Sequence, residues 1–451
     1  MGRDLRHTWE REFEQWLRPF IAVLGHAARR RWAPVYLRGL LAPGERKSIQ
    51  PLAARVAPGQ HEQLHHFVAT SRWSTVPVER VLAEQAQHLV GGPGAVLIVD
   101  DTTLLKQGHC SVGVAHQYSG AVGKNTNCQC LVSLTLARGE VPVAVALRLF
   151  LPKQWTDAPA RCARVGVPAE RQCSQTKGII ALEELDRVCA AGVTFGTVLA
   201  DAGYGTSAAF RQALSARGLT WAVGILRLQT VYPADVVVRP PRRAPRGRPP
   251  THPIPTIARA TAEHALESLP GAAWRTVTWR RGTKGPLTAA CAARRVRIAD
   301  GPPDARGRHL PGEEVWLVGE RRATGERKYY LTNHPADTPL RTLATTIKAR
   351  WACEQAHQQL KQELGLDHFE GRSWDGLHHH ALLAMIAFAF LQHLRLLQAT
   401  GTRWEPGVPP PRPTLPEVQR QLFRSLLPFP CCPRCDGPLK RRRHPLGKVA
   451  K

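Results

Sequence analysis

Apolar residues recur at helical spacing through the first ninety positions of the chain. In the first set they alternate with arginine and glutamate, as on an amphipathic helix with one buried face. A second set follows between residues 64 and 90. The two sets comprise Trp9, Phe13, Trp16, Leu17 and Phe20, and then Leu64, Phe67, Val68, Trp73 and the segment 78–90. The pattern predicts a helical N-terminal region over residues 1–90, which either only packs or also provides a binding surface.

Beyond residue 90 the pattern changes to short, continuous apolar runs, which are typical of buried strands. Two of these runs flank Arg138-Gly139-Glu140, so we predict a hairpin there. Strands are predicted at 95–99, 131–136, 141–151, 196–200 and 221–225, and helices at 179–191 and 207–216. Three strands, a helix, a strand, a helix and a strand predict an α/β fold with a mixed sheet.

The rest of the chain divides by composition into three parts. Residues 236–335 begin with an Arg/Pro-rich linker and continue in β-like alternation, with strands predicted at 276–279, 296–298, 315–318 and 329–331. Residues 336–400 contain two helical patterns, at 339–364 and 374–398. In the second, His378-His379-His380 point about 100° apart, so we predict one packed and two exposed histidines. Residues 401–451 form a Pro-rich, Cys-containing, basic tail. With the first part of the mixed-sheet core at 91–235, these are the predicted domain boundaries.

The charge of the chain points to a nucleic-acid partner. The 451 residues include 62 Lys and Arg against 35 Asp and Glu, a formal net charge of +27. A membrane partner is not favoured, because the longest apolar run, 381–391, falls short of the roughly 20 residues of a spanning helix. A signal peptide is not expected, because no apolar stretch follows the N-terminal charges. The 11 cysteines are an odd number, which fits reduced thiols better than a secreted disulfide framework. We therefore expect an intracellular, cytoplasmic and nucleoid-associated protein.

Carboxylates stand at the ends of two predicted strands. Asp101, with Asp100 beside it, follows the strand at 95–99, and Asp201 follows the strand at 196–200. Neighbouring strand ends converge at one edge of an α/β sheet, and carboxylate oxygens suit Mg²⁺. The alternative is that these aspartates only terminate strands and begin turns.

A third carboxylate lies in the helical pattern at 339–364. Arg350, Glu354 and Lys361 fall within about 40° of one another on a helix. One helical face would then combine a metal ligand with two cations that bind phosphate. An ordinary solvated face with ion pairs is the alternative.

Together these motifs resemble the catalytic signature of DDE transposases of bacterial insertion sequences. The similarity is to the group with a Tyr-Arg-Glu-Lys helix motif and a β-rich insertion, and it covers roughly residues 60–395. It implies a ribonuclease-H-like core with a helical N-terminal region that recognises the element's ends. It also implies that Asp101, Asp201 and Glu354 are catalytic and bind two Mg²⁺ ions, with Mn²⁺ as a substitute. Arg350 and Lys361 would bind phosphates, and a homodimer on double-stranded DNA would cut the ends and join them to target DNA.

Two departures from the family pattern affect this hypothesis. The family's tyrosine would fall at position 347, where this chain has Ile347. In addition, Asp100 and Asp101 are adjacent on a strand, so only one faces the metals. We favour Asp101, which directly precedes Thr102-Thr103, with Asp100 as the fallback. The rival functions are a nuclease of the same fold that does not join strands, and a catalytically lapsed, transposase-derived DNA-binding protein.

Two further motifs lie outside the catalytic signature. The segment around Arg246 and Arg248 resembles an AT-hook core, and the alternative is a flexible basic linker that binds DNA without sequence preference. Cys432 and Cys435 have zinc-knuckle spacing, but a second such pair is missing, so an exposed thiol cluster is the alternative.

Overall fold

The computed structural model describes residues 2–120, 122–240, 253–282, 285–304, 307–399 and 413–426. The helices are α1 (Gly2–Ala22), α2 (Ala27–Leu41), α3 (Ile49–Val56), α4 (His61–His65), α5 (Val76–Val90), α6 (Lys153–Thr156), α7 (Pro159–Arg164), α8 (Lys177–Ala190), α9 (Ala202–Gly205), α10 (Ala208–Ala216), α11 (Ala262–Glu267), α12 (Leu340–Lys348), α13 (Trp351–Gln362), α14 (Trp374–Gln398) and α15 (Leu415–Leu426). The strands are β1 (Gly92–Leu105), β2 (Ala115–Ser119), β3 (Lys124–Arg138), β4 (Val141–Phe150), β5 (Phe195–Ala200), β6 (Trp221–Ile225), β7 (Thr230–Pro233), β8 (Val238–Arg239), β9 (Ile254–Pro255), β10 (Ala260–Thr261), β11 (Arg275–Gly282), β12 (Gly285–Ile298), β13 (Glu314–Arg321) and β14 (Arg327–Thr332).

The centre of the molecule is a mixed sheet in which β1, β5 and β6 run parallel. On the other side of β1, the long strand β3 pairs antiparallel with β1, and β4 and β2 pair antiparallel with β3. The predicted hairpin is confirmed, because β3 and β4 are joined at Gly139, whose φ of 59° is easily adopted by glycine. The order β4-β3-β1-β5-β6 is that of a ribonuclease-H-like core, so the predicted fold class is confirmed.

The predicted β-rich insertion continues this sheet. The last inserted strand, β14, pairs antiparallel with β6, and β13, β12 and β7 follow outward from it. All four strands that the sequence predicts here are present. The inserted residues therefore add to the edge of the core sheet and lengthen it.

Helices cover both faces of the sheet, and alternate residues of β1 contact different layers. Leu97 and Val99 belong to the main core, which also contains the buried residues of α14. Ile98 faces the opposite side and packs in a separate cluster with Ala352 and Cys353 of α13. Strands that are covered on both faces are apolar at every position, which explains the continuous runs in the sequence.

The helical N-terminal region shares the main core with the catalytic sheet. Phe13 and Trp16 of α1 contact the Phe390 ring of α14, with ring centroids 5.3 and 6.0 Å apart. Near the other end of the chain, Leu415 and Val418 of α15 are also buried in this core. Helix α15 is not predicted from the sequence, because it lies within the Pro-rich stretch.

The long helical pattern at 339–364 is two helices. The backbone N–H of Arg350 donates to the carbonyl of Ile347, three residues earlier, which tightens the last turn of α12 before α13 begins. The predicted helix at 374–398 coincides with α14.

Helix α14 lies in the protein interior. Among the described helices it has the length and composition to cross a membrane, but 83% of its most apolar stretch is buried in the protein. The prediction of two exposed histidines is wrong, since His378, His379 and His380 are all buried. Strand β4 of the sheet and neighbouring helices surround α14, so rotation by 100° brings a side chain to another contact and not to solvent.

Candidate active site

The predicted carboxylates, with Arg350 and Lys361, surround one cleft of about 820 Å³ beside β1 and the carboxyl end of β5. The prediction that the first strand ends before Asp100 is wrong, because β1 continues to Leu105 through its pairing with β3 and both aspartates lie within it. Acidic, basic and polar side chains from β1, β2, β3, α8 and α13 line it, together with the residue after β5. The lining residues are Asp100, Asp101, Thr102, Thr103, Gln117, Tyr118, Gly120, Cys130, Lys177, Asp201, Arg350, Glu354, His357, Gln358, Lys361 and Gln362.

Asp100 and Asp201 occupy equivalent places on adjacent parallel strands. Val99 of β1 is in register with Ala200 of β5, and each aspartate is the next residue along its strand. Burial raises the pKa of Asp100 to about 6, and the negative charge of Asp201 adds to the rise, while Arg350 opposes it. Asp201 in turn accepts hydrogen bonds from the backbone N–H groups of Gly203, at 2.9 Å, and Tyr204, at 3.3 Å.

The Asp101 side chain points to the other side of the strand, as alternation requires. Its Oδ2 lies 2.5 Å from Lys177 Nζ, and its Oδ1 accepts a hydrogen bond of 2.5 Å from the Tyr204 hydroxyl. Asp101 therefore binds the first residue of α8 and the short helix α9 to β1. Both aspartates reach the cleft, but Asp100 is the one on the face that α13 covers.

Helix α13 presents the predicted basic and acidic residues to the cleft. The Arg350 guanidinium bridges two carboxylates, with Nη1 2.6 Å from Asp100 Oδ2 and Nη2 2.5 Å from Glu354 Oε1. Glu354 remains 60% exposed in its side chain. Lys361 lies two turns further along the same face, where burial lowers its pKa.

Behind Glu354 the helix carries Cys353 and His357, which are buried. The Cys353 Sγ lies 3.4 Å from His357 Nε2, and the same nitrogen lies 2.8 Å from the Ser133 hydroxyl of β3. Burial lowers the pKa of His357 to about 3, so its imidazole is neutral.

Sequence reasoning missed Lys177 and His357, which line the cleft, and the Tyr204 hydroxyl, which donates a hydrogen bond to Asp101. For Lys177 a weak signal existed, because Thr176 caps α8 and a lysine in a helix's first turn opposes the helix dipole. Such a lysine needs an acidic partner, which is Asp101. No sequence signal identified the other two, because their partners lie on other elements.

Ile347 does not line the cleft. It is 7% exposed and packs in the apolar cluster beneath α12, with Leu343 and Leu199. The exposed aromatic ring in the cleft is that of Tyr118, 64% exposed on β2. Arg246, Arg248, Cys432 and Cys435 lie outside the described residues.

The donor set at the cleft fits a divalent cation. Asp100, Asp201 and Glu354 offer carboxylate oxygens, which are the ligands that hard cations prefer. Burial is the main cause of the raised pKa of Asp100, and the negative charge of Asp201 adds to it; a bound cation would offset both effects.

Comparison with known proteins agrees with this fold. Residues 19–286 match the family model described as DDE superfamily endonuclease. The match covers more than half of the chain and includes Asp100, Asp101 and Asp201, although it ends before Glu354. The chain belongs to the DDE superfamily endonucleases, a family whose members use divalent metal ions.

A curated relative is the probable transposase for insertion sequence element IS701 of Microchaete diplosiphon. The two proteins are 26% identical over 169 residues, which is 38% of this chain and 41% of the relative. The match thus spans less than half of the relative's length.

Proposed function

We propose that this protein is a DNA transposase, which cuts DNA at the ends of an insertion sequence and joins those ends to target DNA. The observation that carries the proposal is the cleft itself. Two carboxylates in register on parallel strands, Asp100 and Asp201, face Glu354 of α13, and lysine and arginine side chains surround them.

We assign Asp100, Asp201 and Glu354 as the ligands of two Mg²⁺ ions, with Mn²⁺ as a substitute. Such ions generate a nucleophile at neutral pH and stabilise the leaving oxygen of a phosphodiester. Asp100 replaces Asp101 in this assignment, because Asp100 shares the α13 face with Glu354 and is in register with Asp201. The two carboxylate oxygens of Asp101 already accept hydrogen bonds from Lys177 and Tyr204.

The cations of the cleft serve to place DNA. Arg350 and Lys361 on α13 and Lys177 on α8 line the cleft around the carboxylates, where they would bind the phosphates on either side of the scissile bond. Positioning of this kind contributes to catalysis without proton transfer.

Tyr118 is the side chain that we assign to the DNA end in place of the absent family tyrosine. Its ring lines the cleft, and its exposed face is free to stack on a base. The helical region 1–90 would recognise the element's ends, and two copies would act together on both ends. With DNA as substrate, the protein would act at the nucleoid in the cytoplasm.

The experiment uses purified full-length protein with Mg²⁺ and supercoiled DNA that carries the ends flanking its own gene. We expect double-strand cuts at those ends, and transfer of the cut ends into a second plasmid. Asp100→Asn and Asp201→Asn should each lower the cleavage rate at least about a thousandfold, since a metal ligand contributes several kcal/mol to the transition state.

Asp101→Asn is the matched control, with the same charge change one residue away. We expect it to lower the rate about tenfold, through the loss of the Lys177 contact. If Asp101→Asn lowered the cleavage rate more than Asp100→Asn, Asp101 would be the metal ligand instead of Asp100. Cutting without strand transfer would instead indicate a nuclease, and metal-independent DNA binding without cutting would indicate a lapsed transposase.

A further inference from the structure

Asp100, Cys353 and His357 form a compact cluster beside the carboxylates. One ligand atom from each residue lies within 4.8 Å of the other two. Cys353 and His357 are one helical turn apart on α13, so the backbone itself keeps them on the same side. Asp100 comes from the centre of the sheet, so the positions of all three residues are set by regular structure.

This donor set differs from that of the carboxylates. A thiolate and a neutral imidazole are soft and borderline ligands, which favour Zn²⁺ over Mg²⁺, and the Cys353 thiol releases its proton to solvent as the ion binds. The 3.4 Å between Cys353 Sγ and His357 Nε2 is close to the edge of a zinc tetrahedron, about 3.6 Å for ordinary Zn–S and Zn–N bonds. The pair needs little rearrangement to share one ion.

The cluster is open to the cleft on one side. Asp100 and His357 line the cleft, whereas Cys353 lies behind them and is fully buried. An ion can therefore enter from the cleft, and a water molecule or a DNA oxygen can supply the fourth ligand. The Thr135 hydroxyl, 3.4 Å from Cys353 Sγ, donates a hydrogen bond that fixes the sulfur.

We propose that Asp100, Cys353 and His357 bind Zn²⁺ as an inhibitory site. The inhibitory part rests on the proposed function, since it requires Asp100 to be a ligand of the catalytic Mg²⁺. An ion held by Cys353 and His357 withdraws Asp100 from Arg350 and from Asp201. Zinc and the catalytic metal therefore compete for one carboxylate, and micromolar zinc stops cleavage in the presence of excess Mg²⁺.

The first test measures binding and does not depend on DNA. Metal-depleted full-length protein is titrated with Co²⁺, whose bonds to thiolate absorb in the near ultraviolet, and with Zn²⁺ against a chromophoric chelator. Cys353→Ala should remove one zinc equivalent and part of the thiolate–cobalt absorption. The cysteines at 431, 432 and 435 contribute equally to parent and variant, so the difference isolates this site.

Two further variants provide a second test of this site and a control. His357→Gln should weaken zinc binding at this site at least about tenfold and shift the cobalt spectrum, which covers the case in which Cys353→Ala does not fold. Cys291→Ala removes another buried thiol, on β12 and away from the cluster, and should leave both titrations unchanged. Equal zinc binding by parent, Cys353→Ala and His357→Gln would overturn the proposal.

The second test measures cleavage with Mg²⁺ as zinc is added. The parent and Cys291→Ala should lose cleavage at zinc concentrations that fill the site, and the ratio of rates with and without zinc should approach one for His357→Gln. Zinc binding at Cys353 without inhibition would overturn the inhibitory role. If no variant or parent cuts DNA, the proposed function fails, but the metal titration still decides whether the site exists.

Discussion

At the scale of single residues, strand alternation decides the chemistry of the cleft. Asp100 and Asp101 are adjacent and chemically identical, yet one contacts Arg350 and the other Lys177 and Tyr204. The sequence motif favoured Asp101, because Asp101 directly precedes Thr102-Thr103 and the sequence alone does not show which side of the strand α13 covers. The face that α13 covers, and hence the partner of Glu354, depends on how α13 packs on β1.

Tyr118 provides the first prediction at this scale. Stacking of one base on an aromatic ring contributes about 1–3 kcal/mol, so Tyr118→Ala should weaken binding to cut element ends by about five- to a hundredfold. Tyr118→Phe keeps the ring and should bind nearly as well as the parent. Fluorescence anisotropy with a labelled end fragment measures both.

The stability of these two variants serves as the control. Because the Tyr118 side chain is largely exposed, the free energy of unfolding should change by less than about 0.5 kcal/mol in either variant. Equal binding by Tyr118→Ala and the parent would show that the ring does not contact DNA.

At the scale of elements, α14 holds two histidines in their neutral form. His378 Nδ1 lies 2.9 Å from the Trp374 carbonyl and donates to it, while Nε2 accepts from the Leu149 N–H at 3.4 Å. His380 Nδ1 accepts from the Tyr36 hydroxyl at 2.8 Å, and Nε2 donates to the Gly365 carbonyl at 3.1 Å. Burial lowers the pKa of His378 to about 3 and that of His380 to about 4.

These lowered pKa values predict that the fold loses stability in mild acid. The unfolded chain binds protons at these histidines below about pH 6.5, whereas the folded chain does not, so the stabilisation is complete above that pH and declines below it. Between pH 7.5 and 5.5 each histidine should cost about 1.4 kcal/mol of unfolding free energy, or about 3 kcal/mol for both. Urea unfolding at the two pH values measures the loss.

The matched variants are His380→Gln and His88→Gln. The first removes one buried titrating group, so the stability lost between pH 7.5 and 5.5 should fall by about 1.4 kcal/mol, whatever the absolute stability of the variant. His88 is exposed on α5, so His88→Gln is the control for replacing a histidine at the surface instead of in the interior. An unchanged slope in His380→Gln would mean that this imidazole is protonated in the fold.

At the scale of the whole molecule, the positive charge predicts strong, salt-dependent binding to DNA of any sequence. With a net charge of +27, many phosphate contacts form at once, and each releases bound counterions. We expect the affinity for a random duplex to fall at least about a hundredfold between about 50 and about 200 mM salt. Filter binding or anisotropy across a salt series measures the slope.

The same series tests Arg246 and Arg248. If both contact phosphates, Arg246→Gln with Arg248→Gln should reduce the salt slope by about two. Arg217→Gln with Arg327→Gln removes the same charge from arginines that pair with Asp186 and Glu267, and should leave the slope nearly unchanged. Loss of a preference for A·T-rich duplexes in the first pair alone would favour the AT-hook interpretation over the unspecific linker.

The sequence by itself determined five strands (β1, β3, β4, β5 and β6) and two helices (α8 and α10) of the core, the hairpin at Gly139 and four inserted strands, whereas β2 and the short helices α6, α7 and α9 were not predicted. The predicted elements follow from local periodicity and turn residues, which act over a few positions. The helix at 374–398 was also predicted from periodicity. The spacing of residues on strands and on one helix identified further members of the cleft: Asp201, Glu354, Arg350 and Lys361.

Only the tertiary structure decided which partners these residues have. The continuation of the core sheet into the insertion, the burial of three consecutive histidines, and the placement of Lys177, Tyr204 and His357 at the cleft all depend on elements far apart in the chain. The choice between Asp100 and Asp101 is of the same kind. Periodicity tells which residues share a face, whereas the packing of helices on the sheet determines what that face contacts.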